Sequence, residues 1–353
     1  MSGKVNAWLI HRTEQPKRVG FWYLGTGTAT MMGALVAYGL LFYTEDRFRS
    51  WQLMFLIFGL VTMAVGICVV VFLPDSPMAS RLTPQEKLLA IERIRANQTG
   101  IENKRFKWAQ VKEAFCDPQT YLIAVIVTAM KISNAAISTF SSLIIKGFGF
   151  STKQTELLNI PSGAVIVVSV LVGTYLAGRF DQRCLSAVFV FVCGLLGSCL
   201  MAFARKDTMQ AAQLAGNYLT NCVSASLPIM YSVASANTAG HTKKVTMNAL
   251  VLMAFCLGNI LGPLTFRTRD QPDYIPAKIA IVATVSVAIV FTFLLKAYYI
   301  LENRRRDRVA TVAALPHLKD SEFMDLTDRE NLEFRVCALS LSLCAVTDPN
   351  IVV

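Results

Sequence analysis

Lys131 stands about ten residues into an apolar run that covers residues 121–145, and Asn134, Ser138 and Ser141 follow it at steps of three and four. At helical spacing these side chains share one face. An ammonium at the centre of a membrane costs roughly 2.5–3.5 kcal/mol on insertion scales, so it calls for polar company. Two readings are open at this point. In one, the face walls a cavity in which Lys131 supplies charge, and Asn134 hydrogen bonds, to an anionic substrate. In the other, Lys131 snorkels toward the interface and the serines serve small-residue helix packing.

A second polar stripe occupies the run 213–236, where Asn217, Asn221, Ser224, Pro228, Tyr231 and Ser235 recur at steps of four and three. Two amides one turn apart are costly against lipid and face either a water-filled pathway or a neighbouring helix. Pro228 also frees a backbone carbonyl, which favours the pathway. Asn248 and Asn259 give a weaker signal of the same kind, and Gly258-x-x-x-Gly262 reads as a helix-packing face. Gly25, Ala29, Gly33 and Ala37 place a small residue at every fourth position and predict a second close helix contact.

Acidic groups are missing from these runs. Glu156, at the edge of one, is the nearest carboxylate, while His11, His241 and His317 lie outside them. No residue inside the runs offers a proton relay of the usual carboxylate or histidine kind. Nucleophile elbows, His-Glu-x-x-His pairs, Cys-x-x-Cys spacings and nucleotide-binding glycine loops do not occur either, which argues against a membrane-embedded enzyme and against a metal or other cofactor.

These residues are carried by a very apolar chain. Of its 353 residues 54% are hydrophobic and only 16% charged, a balance outside that of soluble proteins. Runs long enough to span a bilayer core as helix occur near 20–40, 51–73, 121–145, 157–178, 185–204, 213–236, 246–266 and 276–300. The expected fold is therefore all-α and multi-pass, with eight spans.

The net charge of +11 is distributed between the spans and gathers no patch of the kind that binds nucleic acid. Alternate segments take most of it: the N-terminal residues through Arg18, the loop from Arg81 to Lys112, Arg179 with Arg183, Lys243 with Lys244, and Arg304 to Arg308. Positive charge stays cytoplasmic, so these segments, including the long loop and the C-terminus, are placed inside. The sequon Asn97-Gln98-Thr99 is then not glycosylated. Thr83-Pro84-Gln85-Glu86 predicts a capped surface helix from Pro84 to about Ala96.

The parts of the chain divide as two spans in 1–73, an inter-bundle loop in 74–118, six spans in 119–300, and a cytoplasmic tail in 301–353 without helical periodicity and expected to be disordered. Several stretches carry a resemblance: Arg18 to Tyr23, Phe72-Leu73-Pro74-Asp75-Ser76-Pro77, Glu92 to Lys104, Gly147 to Ser151, and Gly258-Asn259-Ile260-x-Gly262-Pro263. Together, from about Arg12 to Arg335, they resemble the fungal allantoate permease family, the anion:cation symporters of the major facilitator superfamily. Arg179, Asp181 and Arg183 are similar to that superfamily's basic turn, a conformational element, although Gly178 stands where its acid is expected.

The resemblance implies a plasma-membrane carrier, a monomer, that moves a small organic anion together with a proton. Candidate substrates are allantoate, nicotinate, another vitamin carboxylate or a small peptide. Eight spans correspond to two helices of the first bundle and six of the second, so on that template the chain reads as N-terminally truncated. The proton-coupling group would then lie in the absent spans, or the substrate's own carboxyl would carry the proton. A non-transporting remnant and a membrane protein that binds ligand without flux stand as the alternatives.

Overall fold

The computed structural model describes residues 15–43, 48–72, 106–180, 182–204, 210–270, 274–313, 327–331, 334 and 336 of the chain. Among these the regular structure is helical, in the order α1 (Gln15–Leu40), α2 (Ser50–Phe72), α3 (Trp108–Phe115), α4 (Pro118–Gly147), α5 (Thr152–Arg179), α6 (Arg183–Phe203), α7 (Gln210–Thr220), a 3₁₀ turn (Asn221–Ala225), α8 (Ser226–Asn237), α9 (His241–Leu264) and α10 (Ile275–Ala313). Helix satisfies every backbone polar group within its own segment, which hydrocarbon surroundings demand.

Six helices are long and apolar enough to cross a membrane: α2, α4, α5, α6, α9 and the part of α10 up to Arg308. Two of the eight expected spans are not among these six. The run at 20–40 is a 26-residue helix, α1, but it carries Lys17, Arg18 and several threonines and is less apolar than the others. The run at 213–236 is divided into α7, the 3₁₀ turn and α8.

Helix ends follow local chemistry. Asp117 caps α4 by accepting from the Gln119 N–H at 3.2 Å, with Pro118 at the first helical position. Ser151 and Gln154 form a capping box that starts α5 at Thr152. That helix then runs through Pro161. Near the proline, the Tyr218 hydroxyl donates to the Leu158 carbonyl at 2.8 Å. α9 begins after Gly240, whose φ of +86° suits glycine, and the Gln110 side chain of α3 accepts from the Thr242 and Lys243 N–H groups at 3.0 and 3.2 Å.

Two interfaces bring backbones together. A Cβ at Gly258 would lie 2.7 Å from the Thr128 carbonyl and one at Gly262 2.7 Å from that of Ile132, so α9 runs parallel to α4 in close contact. The predicted Gly258-x-x-x-Gly262 packing face is thus observed. α1 runs antiparallel to α5 and touches it through Gly27, where a Cβ would meet the Gly163 carbonyl at 2.7 Å. The stripe expected to make this contact does not: Cβ atoms at Gly25 and Gly33 would meet nothing within 4 Å. The threonine- and glycine-rich sequence of α1 offers small residues on several faces, and spacing alone does not choose among them.

The stretch 73–105, with its predicted capped helix and the sequon, lies outside the described residues. The tail departs from the expected disorder where it is described. α10 continues to Ala313, Phe334 is fully buried, and Asn303 and Val336 exchange hydrogen bonds at 2.8 and 3.1 Å.

Candidate functional site

The polar face of α4 opens on a cavity of about 1340 Å³, walled by α1, α4, α5, the 3₁₀ turn, α8 and α9, with Met54 from α2. Lys131, Asn134, Ser138 and Ser141 all line it. Lys131 is only 4% exposed, so it does not snorkel. Its ammonium donates to Asn134 Oδ1 at 3.1 Å and to the Tyr23 hydroxyl at 3.5 Å, and it lies 4.6 Å from the centroid of the Phe255 ring. Among the described residues no carboxylate forms an ion pair with it. Hydroxyl, amide and ring contacts hold the cation in place and leave its charge uncancelled, which suits an arriving anion.

Asn134 extends this arrangement across the cavity. Its Oδ1 faces Lys131, so Nδ2 points away and donates to Ser224 Oγ at 2.6 Å. Asn221, Ser224, Tyr231 and Ser235 line the cavity. Asn217 does not: it is fully buried, and its carbonyl accepts from Asn221 Nδ2 at 2.9 Å.

Asn259 is also off the cavity, one residue beyond the glycine that packs on α4, and bonds the Phe255 carbonyl of its own helix at 2.9 Å. Asn248, the weaker candidate, lines it. Of the expected basic turn, Arg183 is 1% exposed and donates to the Ser232 carbonyl at 2.7 Å, tying α6 to α8. Arg179 is exposed, and Asp181 lies outside the described residues.

Sequence reasoning missed the cavity's opposite wall. Tyr23 and Phe255 contact the ammonium, but aromatic residues in apolar helices carry no distinguishing pattern. Glu156, Asn159 and Ser162 line the cavity at steps of three along α5. That stripe straddles the edge of the apolar run at 157–178. Ser141 donates to Asn159 Oδ1, Asn159 Nδ2 donates to Ser142 Oγ at 3.2 Å, and Ser142 Oγ donates to Glu156 Oε1 at 3.1 Å.

A different charged cluster lies where α3, α4, α9 and the tail meet. The fully buried Lys243 ammonium is held by Glu113 at 2.9 Å, Asp117 at 2.9 Å and Asp328 at 2.7 Å. Asp117 also accepts from Gln119 Nε2 at 2.8 Å and from the Tyr298 hydroxyl at 3.3 Å, and Arg329 lies 3.8 Å from it. The tail residue Asp328 completes this clamp, which sequence spacing did not reveal. Among the described residues no group of three His, Cys, Asp or Glu side chains is arranged to hold a metal ion.

Residues 3–263 match the family described as Major Facilitator Superfamily. Among similar proteins are an uncharacterized transporter of Schizosaccharomyces pombe, 38% identical over 94% of this chain and 63% of the relative, and the thiamine pathway transporter of Saccharomyces cerevisiae, 36% identical over 92% and 62%. The allantoate permease of Saccharomyces cerevisiae is 35% identical over 91% of this chain and 61% of the permease. The chain thus spans less than two thirds of the length of these relatives.

Proposed function

Because the chain belongs to the major facilitator superfamily, a family of transport proteins and not enzymes, we propose that it is a carrier of a small organic anion in the line of the allantoate permeases. The observation that carries this reading is the Lys131 ammonium, buried at a large cavity between helices, with hydrogen-bond partners but, among the described residues, no carboxylate paired with it. Asn134, Ser138, Asn221, Ser224 and Tyr231 surround the path of the substrate, which enters as a carboxylate and is drawn to Lys131. Allantoate, nicotinate and other vitamin carboxylates, or small peptides, are the candidate substrates, moved with a proton.

In this reading α1 and α2 belong to a first bundle. The second contains α4, α5, α6, α9, α10 and the interrupted α7–α8 segment as six spans, giving eight in all. The basic segments put the Asp117 end of α4, the His241 end of α9 and the chain's C-terminus in the cytoplasm. The parallel course of α4 and α9 supports that placement, since both begin on one side. We take the carrier to be a monomer in the plasma membrane.

The test is thermal stabilisation of the purified chain by a panel of carboxylates that includes allantoate and nicotinate, followed by uptake of the stabilising compounds into proteoliposomes. Saturable uptake that Lys131→Ala abolishes supports the carrier. Stabilisation without uptake supports ligand binding without flux. That second reading draws on one observation: the first-bundle side of the cavity is built by α1 with only Met54 from α2, a helix none of whose residues is buried. Neither stabilisation nor uptake with any carboxylate would reject both.

A further inference from the structure

Glu156 contributes the cavity's single lining carboxylate among the described residues. It sits at the α5 end nearest Ser151, and no Lys or Arg among the described residues forms an ion pair with it. Its one hydrogen-bond partner there, Ser142, is on α4, in the same polar face as Lys131 and eleven residues further along. α4 leaves regular helical geometry at Phe140 (φ −113°, ψ 15°), whose ring stacks on Phe266 at 4.5 Å, and the next two residues, Ser141 and Ser142, both bond α5. The Glu156 carboxylate, on α5, and the Lys131 ammonium, on α4, therefore sit at levels of the cavity about 16 Å apart, by the rise of α4 from Lys131 to Ser142, with serines and asparagines between them.

Charged and titratable groups flank Glu156 on the elements packed around it. Lys153, one turn back on α5, is directed over the Phe42 ring at 4.7 Å. Lys146 lies one turn beyond Ser142 on α4, and Lys278 of α10 lies over the Phe148 ring at 5.3 Å. α1 brings Tyr38 to this level by its antiparallel register and ends near Tyr43, Arg49 precedes α2, and α7 brings Tyr218, whose hydroxyl donates to the Leu158 carbonyl. Farther along the same cavity are Lys131, His241 and Lys244.

Resting on the anion-carrier reading above, we propose that Glu156 is the group that couples the proton to the anion. Ionised, it presents a negative charge at the outer mouth of the cavity and opposes entry of a carboxylate. Protonated by one H⁺ from the outer side, it becomes a neutral hydrogen-bonding group, and the anion passes along the Ser142, Ser141 and Ser138 face to Lys131. When the cavity opens at its inner end, beside His241 and Lys244, the anion leaves Lys131 and Glu156 gives its proton to water in the cavity, so that one H⁺ crosses with each monoanion.

The experiment compares wild type with Glu156→Gln, a permanently neutral isostere, and with Glu156→Asp as a conservative control. Infrared difference spectra between acid and alkaline buffer read the carboxyl group directly, with no substrate present. The proposal expects a protonated-carboxyl band that Glu156→Gln removes and Glu156→Asp shifts. Using nicotinate and allantoate as probes in proteoliposomes, Glu156→Gln should retain exchange across the membrane but lose accumulation driven by a pH gradient.

At alkaline pH Glu156→Gln should bind the probe roughly fivefold more tightly than wild type, the Coulomb effect of one charge about 16 Å away at an effective dielectric of about 20. Retained gradient-driven accumulation in Glu156→Gln, or an infrared band unchanged by it, overturns the proposal. If wild type moves neither probe, the anion-carrier reading fails on its own, and the infrared comparison still decides whether Glu156 takes up the proton.

Discussion

Two buried lysines divide the molecule by what surrounds them. Lys243 is fully buried against three carboxylates at 2.7–2.9 Å, in a clamp that ties α3, α4, α9 and the tail into one end of the bundle. Lys131 is almost as deeply buried, yet among the described residues it is met by an amide oxygen, a phenol and an aromatic face and by no carboxylate, and it looks into a large cavity. Both pay for desolvation, but among the described residues only Lys243 has counter-charges. A compensated buried charge specifies a structure, whereas an uncompensated one beside a cavity is reserved for a ligand.

This contrast can be broken by substitution. Lys243→Ala is expected to have the largest effect on folding, because it strands Glu113, Asp117 and Asp328 together. Breaking a buried pair in this way costs about 3–5 kcal/mol, so the melting temperature in detergent and the amount of protein in the membrane should both fall sharply. Lys131→Ala should do the opposite to stability, removing a buried charge with no counter-charge and leaving the melting temperature unchanged or higher. Its anion uptake per molecule should fall by about tenfold or more, the loss of a charge-assisted hydrogen bond to substrate.

Smaller substitutions sharpen the boundary between the two regions. Gly262→Ala forces a methyl against the Ile132 carbonyl, a contact of 2.7 Å. Thermal unfolding should report a loss of about 1–3 kcal/mol, typical of overpacking, with the cavity chemistry retained in the protein that folds. The smallest expected effect separates two asparagines one turn apart. Asn221→Ala, on the cavity, should lower anion affinity by about threefold to tenfold, a typical hydrogen-bond contribution. Asn217→Ala, off it, should leave affinity within about twofold, as ligand titration by thermal shift would show.

The sequence disclosed the helices and half of the site for physical reasons that can be traced. Apolar length fixes spans, and the polar face from Lys131 to Ser141 follows from a regular 3.6-residue period along α4. Periodicity does not say which neighbour a polar residue meets. Asn217, one turn before Asn221, is buried off the cavity, and the Glu156, Asn159 and Ser162 stripe straddles the edge of the apolar run at 157–178 instead of lying within it. The Lys243 clamp joins residues more than a hundred positions apart with Asp328, and no local pattern encodes such a meeting. Small residues in α1 were visible, but the partner face depends on tertiary packing that chose Gly27 over Gly25 and Gly33.

The most direct test of an uncompensated cation reserved for an anion is carboxylate uptake per folded molecule in Lys131→Ala, measured on protein whose melting temperature is recorded in the same preparation. An unchanged or raised melting temperature with uptake lowered by about tenfold or more is the predicted result. A loss of uptake that merely follows a loss of stability, or uptake equal to wild type, would contradict it and return Lys131 to the role of a packing residue.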